Sequence, residues 1–208
     1  MKDNLFYNQE SARYSDKRYP RVATTYTQFF FKRRFAITKS FIKYVVSQTL
    51  TSSDLLEVGC ADGVIIREIE KSFPSKFNKL TGIDTASDMV EEARRKNVLP
   101  NAEFFVRDAY AGGPVDVIVE TGVINYARFE EEVAFAQDNL KPGGFYIFSI
   151  AGTGSLLNRL KPEGDFSDFR PYAEYDRLAR KIFDVRQVRG CGFFIPYLWR
   201  VPVLARLI

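Results

Sequence analysis

The chain has 208 residues, of which 46% are hydrophobic and 27% charged, and its formal net charge at pH 7 is +4. This composition is typical of a soluble globular protein with a hydrophobic core and excludes global disorder, collagen and a coiled coil. No run of 18 or more uncharged apolar residues occurs, so we expect no membrane-spanning helix, and the charged N-terminus lacks the apolar stretch of a secretory signal.

The first 50 residues are predicted to form a basic, helical N-terminal cap. Residues 1–22 indicate a loop or short helix, and residues 25–48 have apolar side chains at helical spacing. The other face of this helix is expected to expose Lys32, Arg33, Arg34, Lys39 and Lys43. The net charge of residues 1–50 is +7, which favours an anionic substrate or surface, although a solvated helix face would have the same composition.

Strand and helix patterns then alternate through residues 51–150. Strands are predicted at 55–58, 80–84, 103–107, 116–120 and 144–150, the last after a turn at 141–143, and helices at 64–72, 87–96 and 129–139. This alternation predicts an α/β fold with a doubly wound, mostly parallel sheet and helices on both faces.

The last third of the chain has weaker patterns. Residues 152–169 are predicted to form a long loop, followed by a helix at 172–183 and a sixth strand at 184–189. Two prolines, Pro196 and Pro202, argue against a further central strand, so the final strand is expected to be missing or irregular. The apolar segment 193–208 is expected to pack against the sheet, or to contact a membrane surface or a partner.

Cysteine and histidine content narrows the possible chemistry. Two cysteines, Cys60 and Cys191, cannot build a disulfide framework, and we therefore expect a reducing, cytoplasmic compartment. The chain has no histidine, which excludes Ser-His-Asp and Cys-His catalysis, and no metal site is expected. Any proton transfer must use a carboxylate, Lys, Tyr, Cys or water.

A glycine-containing turn, EVGCADG at residues 57–63, follows the first predicted strand. Ligands of open parallel sheets bind beyond the carboxyl ends of the strands, and glycine lets the backbone approach them closely, so this turn is expected to hold a cofactor. A turn without a ligand would have the same composition. A dinucleotide fingerprint does not fit, because it would need glycine at Ala61 and Val64.

Four segments between residues 55 and 150 resemble, in order, the motifs of class I S-adenosylmethionine-dependent methyltransferases. LLEVGCADG resembles the first motif, with Ala61 in place of the middle glycine, and GIDTASDMVEEARRK and FFVRDA resemble the second and third. The fourth and fifth strands are matched by VDVIVETGVINY and LKPGGFYIFSI. The aromatic and basic ends of the chain are similar to the small-molecule branch that tailors quinones and glycans.

The resemblance implies S-adenosylmethionine as the cofactor and S-adenosylhomocysteine as its product. Asp84 would accept hydrogen bonds from the ribose hydroxyls. Asp108 would accept one from the adenine amino group, and the backbone N–H of Ala109 would be offered beside it. Glu57 would orient the loop or reach the methionine amino group. The other implied contacts are Gly59, Cys60, Ala61, Gly63, Thr85, Met89, Glu120 and Thr121. Three of these residues have a structural alternative: helix capping for Asp84, a plain turn for Asp108 and helix core for Met89.

The resemblance also implies in-line methyl transfer, for which positioning and desolvation supply much of the rate. The catalytic residue stays unassigned, and the substrate-side candidates are Glu120, Tyr126, Tyr172 and Tyr175. Asn125 stands where many similar quinone methyltransferases have histidine, so a histidine base is not expected.

We therefore predict one methyltransferase-like domain over residues 1–208, with a cap at 1–50, a cofactor-binding core at 51–150 and a substrate-side segment at 151–208. Its acceptor is predicted to be a small molecule methylated at oxygen. Aromatic walls with a few cations suit a mostly apolar or sugar-like acceptor that bears an anionic group. Two alternatives stay open: a nucleic-acid or protein methyltransferase that uses the basic helix, and a non-catalytic cofactor-binding or scaffold protein. No nucleic-acid recognition motif is visible, which argues against nucleic acid.

Overall fold

A five-stranded parallel sheet organises the computed structural model, which describes residues 9–48, 52–153 and 168–191. Its strands are β1 (Ser53–Val58), β2 (Phe77–Asp84), β3 (Ala102–Val106), β4 (Val115–Thr121) and β5 (Leu140–Ser149). They lie in the order β3-β2-β1-β4-β5, and every neighbouring pair is parallel. The strand order therefore reverses between β1 and β4, where ligands of open α/β sheets bind.

Helices cover both faces of this sheet, which confirms the predicted α/β fold. They are α1 (Tyr14–Arg18), α2 (Tyr26–Gln48), α3 (Val64–Ser72), α4 (Ser87–Lys96), α5 (Phe129–Asn139) and α6 (Tyr172–Ile182). Adjacent residues of β1 point to opposite faces, so Leu55 packs in the cluster of α2, α3 and α4, whereas Leu56 packs in the cluster that contains α5. A third cluster joins α5 to α6 through Phe129 and Tyr175.

The predicted sixth strand is wrong. Residues 184–191 have no regular secondary structure, and most of them are exposed, including Val188 at 52% exposure. Val185 packs beside α6, but the segment presents no continuous apolar face that would add it to the sheet.

Two other boundaries differ from the prediction. The expected turn at residues 141–143 lies inside β5, which begins at Leu140, and Gly143 has a φ of +78° where the register with β4 is irregular. On α2, Arg34 is buried and Ala36 is exposed, so the cationic face predicted for this helix is only partly correct.

Much of the predicted loop at 152–169 and the whole apolar segment at 193–208 lie outside the described residues. Within residues 9–48, 52–153 and 168–191, none of the helices has the length and apolar character needed to cross a bilayer.

Candidate functional site

The turns after four strands meet at one edge of the sheet. Val58 is in register with Ile83 of β2 and with Glu120 of β4, and Asp84 is in register with Val106 of β3. The segments that follow these strands therefore lie side by side at the reversal of strand order. This edge carries most of the residues that the sequence singled out.

The turn after β1 holds a tightly wound backbone. Gly59 and Gly63 each have a φ of +71°, and Ala61 has a φ of +47°. A non-glycine residue in this left-handed region costs about 1–2 kcal/mol. The Ala61 N–H offsets part of that cost, because it donates to Asp84 Oδ2 at 2.8 Å. Ala61 thus has a backbone conformation that glycine adopts readily. The turn into α3 therefore forms although alanine replaces the middle glycine of the motif.

Asp84 connects the first two turns of the edge. Its Oδ2 accepts from Ala61, and its Oδ1 accepts from the Ala86 N–H at 2.9 Å. Burial raises the pKa of Asp84, and the N–H groups of Ala86, Ala61 and Thr85 lower it. A carboxylate offers about four acceptor positions, so Asp84 can still accept hydroxyl groups from a ligand.

Two buried acids, Glu57 and Asp62, flank the glycine turn. Glu57 Oε2 and Asp62 Oδ1 are both buried and have no hydrogen-bond partner among the described residues. The pKa of Glu57 is raised well above its usual value by burial and by the charges of Asp84 and Asp62. Buried acceptors in native structures normally have donors, so these two oxygens mark a place where a donor from a ligand fits.

The N-terminal segment is fastened across this turn by Asp62, which the sequence analysis did not select as a site residue. Asp62 Oδ2 accepts from the Ser15 hydroxyl at 2.6 Å, from the Ser15 N–H at 3.2 Å and from Lys96 Nζ at 2.8 Å. Tyr14 packs against the buried cluster of Ala61, Ala86 and Met89. Met89 is therefore part of a small core under the N-terminal segment.

Four predicted contacts lie at or near the same edge. Thr85 is exposed after β2, and Asp108 and Ala109 are exposed on a 3-10 turn after β3. Thr121 is buried at the end of β4. Cys60 is buried beneath the first turn, and burial together with Asp84 and Glu57 raises the pKa of its thiol well above the usual value. The thiol therefore has a packing role and is not a nucleophile.

Glu120 lies under the edge and not on its open side. It is fully buried and accepts the hydroxyl of Tyr146, next to Glu132, which forms a bidentate ion pair with Arg107 at 2.9 and 2.8 Å. Burial and the charge of Glu132 raise the pKa of Glu120 to about 8. Its Oε1 is, like Glu57 Oε2, buried without a hydrogen-bond partner among the described residues, so the contact of Glu120 with cofactor or substrate stays a prediction.

The three tyrosine candidates do not converge on one point. Tyr175 is buried against Phe129, and its hydroxyl donates to Asp168 Oδ1 at 3.0 Å. Burial raises the pKa of Tyr175 to about 12. Tyr126 and Tyr172 are exposed, and Tyr172 donates to Asp176 on its own helix. Tyr175 therefore has a structural role.

Asn125 holds the chain together behind the edge. Its Nδ2 donates to the carbonyls of Ala151 and Asp168, both at 2.9 Å, and its Oδ1 accepts the Ala151 N–H at 2.6 Å. An amide combines two donors with an acceptor, a combination that an imidazole cannot match. Asn125 thus stabilises the backbone at residues 151 and 168. Histidine could not form the same set of hydrogen bonds at this position.

Across the described ranges, no cluster of three or more His, Cys, Asp or Glu side chains has the arrangement of a metal site. The edge instead combines close backbone approach, a carboxylate with free acceptor positions and buried oxygens that lack donors. These are features of a site for an organic ligand with hydroxyl and amino groups.

Comparison with known proteins agrees with this geometry. Residues 56–146 match a family described as a methyltransferase domain. Over 108 residues the sequence is 34% identical to malonyl-[acyl-carrier protein] O-methyltransferase from Halalkalibacterium halodurans. This alignment covers 47% of this chain and 39% of the relative. The matched part of the chain therefore spans about two fifths of that curated relative.

Solved structures of low sequence identity share the fold. Magnesium protoporphyrin IX methyltransferase from Synechocystis PCC 6803 with bound S-adenosylhomocysteine has a TM-score of 0.68 at 16% identity, with 92% of this chain and 94% of that chain covered. A methyltransferase from Thiobacillus denitrificans in complex with S-adenosylhomocysteine has a TM-score of 0.54 at 20% identity, with 86% and 69% covered. Residues 56–146 therefore match a methyltransferase domain family, and the chain shares the fold of these S-adenosylhomocysteine-bound methyltransferase structures.

Proposed function

We propose that the chain binds S-adenosylmethionine at the carboxyl edge of β1, β2 and β3 and methylates an oxygen atom of a small, anionic acceptor. One observation carries the proposal: two carboxyl groups, Glu57 and Asp84, lie at the carboxyl ends of adjacent strands beside a glycine turn and have acceptor positions left over. The ribose hydroxyls and the ammonium group of this cofactor are donors of the kind that these acceptors lack.

Each part of the edge has a separate task in this proposal. Asp84 would accept the ribose hydroxyls, and Glu57 would accept from the ammonium group. The turn at Asp108 and Ala109 would contact the adenine, and Gly59 would let the backbone approach the ligand. When bound, the cofactor supplies a methyl group on a sulfonium, which is already activated towards a nucleophile.

The acceptor proposed here is a carboxylate, because the carboxyl groups Glu57 and Asp84 at the edge are assigned to the cofactor and a carboxylate acceptor needs no further base. The chain has no histidine, Glu120 has a pKa of about 8 under the sheet, and the pKa of the Tyr146 hydroxyl is raised well above its usual value by burial. A carboxylate is an anion at neutral pH and needs no base. The name of the relative from H. halodurans, a malonyl-[acyl-carrier protein] O-methyltransferase, supports this class of acceptor.

A transfer assay with a matched pair of acceptors tests the proposal. The chain is incubated with S-adenosylmethionine labelled in the methyl group and with malonyl-coenzyme A or acetyl-coenzyme A, which differ in one carboxylate. Label that is released as methanol by alkali, with malonyl-coenzyme A only, is the expected sign of a methyl ester. Equal label with both acceptors, or label that resists alkali, would contradict a carboxylate acceptor.

A further inference from the structure

Arg34 is a buried cation at the candidate site. It lies on α2 with only 9% exposure, although the helical pattern places it on the solvent face. A Cβ built at Gly122 would lie 2.3 Å from Arg34 Nη1 and 3.1 Å from Nη2, so the guanidinium rests directly on that glycine. Gly122 follows the last residue of β4, and this contact places the guanidinium at the carboxyl edge of the sheet.

This cation has no anionic partner within the described ranges. Its neighbours are the rings of Phe31 and Phe30, at 4.6 and 5.7 Å from the guanidinium carbon, and the hydroxyl of Tyr19. The carboxyl group of Glu57 is close enough to interact with its charge, but no ion pair forms between them. Burial and the acids around Glu57 also favour the neutral form of that carboxyl group, as its raised pKa shows.

Two other arginines of the chain form the bidentate ion pairs that Arg34 lacks. Arg107 pairs with both oxygens of Glu132, and Arg170 pairs with both oxygens of Glu130 at 2.7 and 2.8 Å. A buried charge is normally paired, because its desolvation is costly without a counter-charge. Arg34 therefore has the burial of a paired arginine and lacks the anion.

The guanidinium and the proposed ligands together indicate that the missing anion is a carboxylate. Its planar fork of N–H donors matches the two oxygens of a carboxylate or a phosphate. Neither the proposed cofactor nor the proposed acceptor group needs a phosphate at this edge, and both contain a carboxylate. We propose that Arg34 is a carboxylate-binding residue of the site.

This inference rests on the proposed function, and the carboxylate has two possible sources. One is the amino-acid part of S-adenosylmethionine, and the other is the acceptor. The Arg34→Met variant removes the charge and keeps much of the side-chain volume. Lys43→Met, on the exposed side of the same helix, is the matched control.

Calorimetric titrations separate the two sources. Each variant is titrated with S-adenosylhomocysteine and with 5′-methylthioadenosine, which lacks the amino-acid part, and then with malonyl-coenzyme A and acetyl-coenzyme A in the presence of S-adenosylhomocysteine. If the cofactor supplies the carboxylate, Arg34→Met weakens S-adenosylhomocysteine roughly 10- to 100-fold and leaves 5′-methylthioadenosine unchanged. If the acceptor supplies it, S-adenosylhomocysteine binds normally and malonyl-coenzyme A loses its advantage over acetyl-coenzyme A.

Unchanged affinities for both carboxylate ligands in Arg34→Met would overturn the assignment. Should that variant fail to fold, the unmodified chain is titrated with decarboxylated S-adenosylhomocysteine. Equal affinity for the decarboxylated and intact forms, with no preference for malonyl-coenzyme A over acetyl-coenzyme A, would overturn it as well. An unmodified chain that does not bind S-adenosylhomocysteine contradicts the proposed function instead, and the coenzyme A pair then decides the role of Arg34.

Discussion

Replacement of Asp62 tests how the N-terminal segment is held over the first turn. In the structure, one carboxylate oxygen, Oδ2, accepts three hydrogen bonds from Ser15 and Lys96, while Oδ1 has no hydrogen-bond partner among the described residues. Asp62→Ala removes all three bonds and leaves the Lys96 ammonium without its main acceptor. Asp62→Asn can keep its amide oxygen at the position of Oδ2 and place its NH₂ where Oδ1 has no partner.

The two variants should therefore differ in stability. Breaking a buried charged pair costs about 3–5 kcal/mol, and partial exposure of Lys96 places Asp62→Ala at the lower end, about 3 kcal/mol. For a chain of this size, that loss corresponds to a decrease in Tm of roughly 6–12 °C. Asp62→Asn keeps the three contacts, loses the ionic part of one and buries an NH₂ group without an acceptor, and we expect about 1–2 kcal/mol.

Thermal unfolding and limited trypsin digestion measure these effects. The basic residues of the N-terminal segment, Arg13, Lys17 and Arg18, should be cut faster in Asp62→Ala than in the unmodified chain. Asp138→Ala, which removes the same charge from an exposed position on α5, is the control and should change neither measurement. Equal destabilisation by alanine and asparagine would refute the assignment of the contacts to Oδ2. An Asp62→Ala variant with unchanged Tm and unchanged digestion would refute the role of Asp62 in holding the N-terminal segment.

Three further predictions follow from the same edge. Asp84→Ala should weaken S-adenosylhomocysteine in calorimetric titration more than Asp108→Asn does, because Asp84 is also the acceptor for two turn N–H groups; the reverse order would contradict the ribose assignment. Glu120 has a folded-state pKa of about 8, above its value of 4.5 in the unfolded chain, so its contribution to stability is complete below pH 4.5 and is lost as pH rises through 8. The contribution of Glu120 to the free energy of unfolding should fall over that window by up to about 1.4 kcal/mol per pH unit, and Glu120→Gln should reduce the slope of the profile, to which Glu57 also contributes; an unchanged slope in urea titrations would count against the raised pKa. Gly59→Ala should destabilise the chain by at least about 2 kcal/mol, because the turn has a φ of +71° and a Cβ would lie 2.1 Å from a methyl group of Val123. The double variant with Val123→Ala should recover only the steric part in thermal unfolding, and full recovery would show that the backbone is not strained.

Local sequence patterns were sufficient for the fold and for part of the edge. The alternation of strands and helices predicts the parallel sheet, and acids at the ends of strands, such as Asp84, are expected at its carboxyl edge. These inferences depend on residues that are close in sequence. They succeed because strand period and topology determine where such residues lie.

Such patterns could not predict contacts between residues that are distant in sequence. Asp62 binds Ser15, which is 47 positions away, and nothing local distinguishes it from an exposed turn acid. Arg34 is buried against Gly122 because α2 lies over the sheet, and helical spacing treats every arginine as a solvent residue. Glu120 follows the strand pattern, but its burial beside Glu132 depends on the packing of α5.

Thermal unfolding with and without S-adenosylmethionine and S-adenosylhomocysteine, with NADH as the control, tests the central claim most directly. A ligand at 100 times its Kd stabilises the folded chain by about 2.7 kcal/mol. For this chain length the account predicts an increase in Tm of roughly 5–10 °C with both sulfur nucleotides and none with NADH. An unchanged Tm with both sulfur nucleotides at millimolar concentration would contradict the assignment of this edge as the cofactor site.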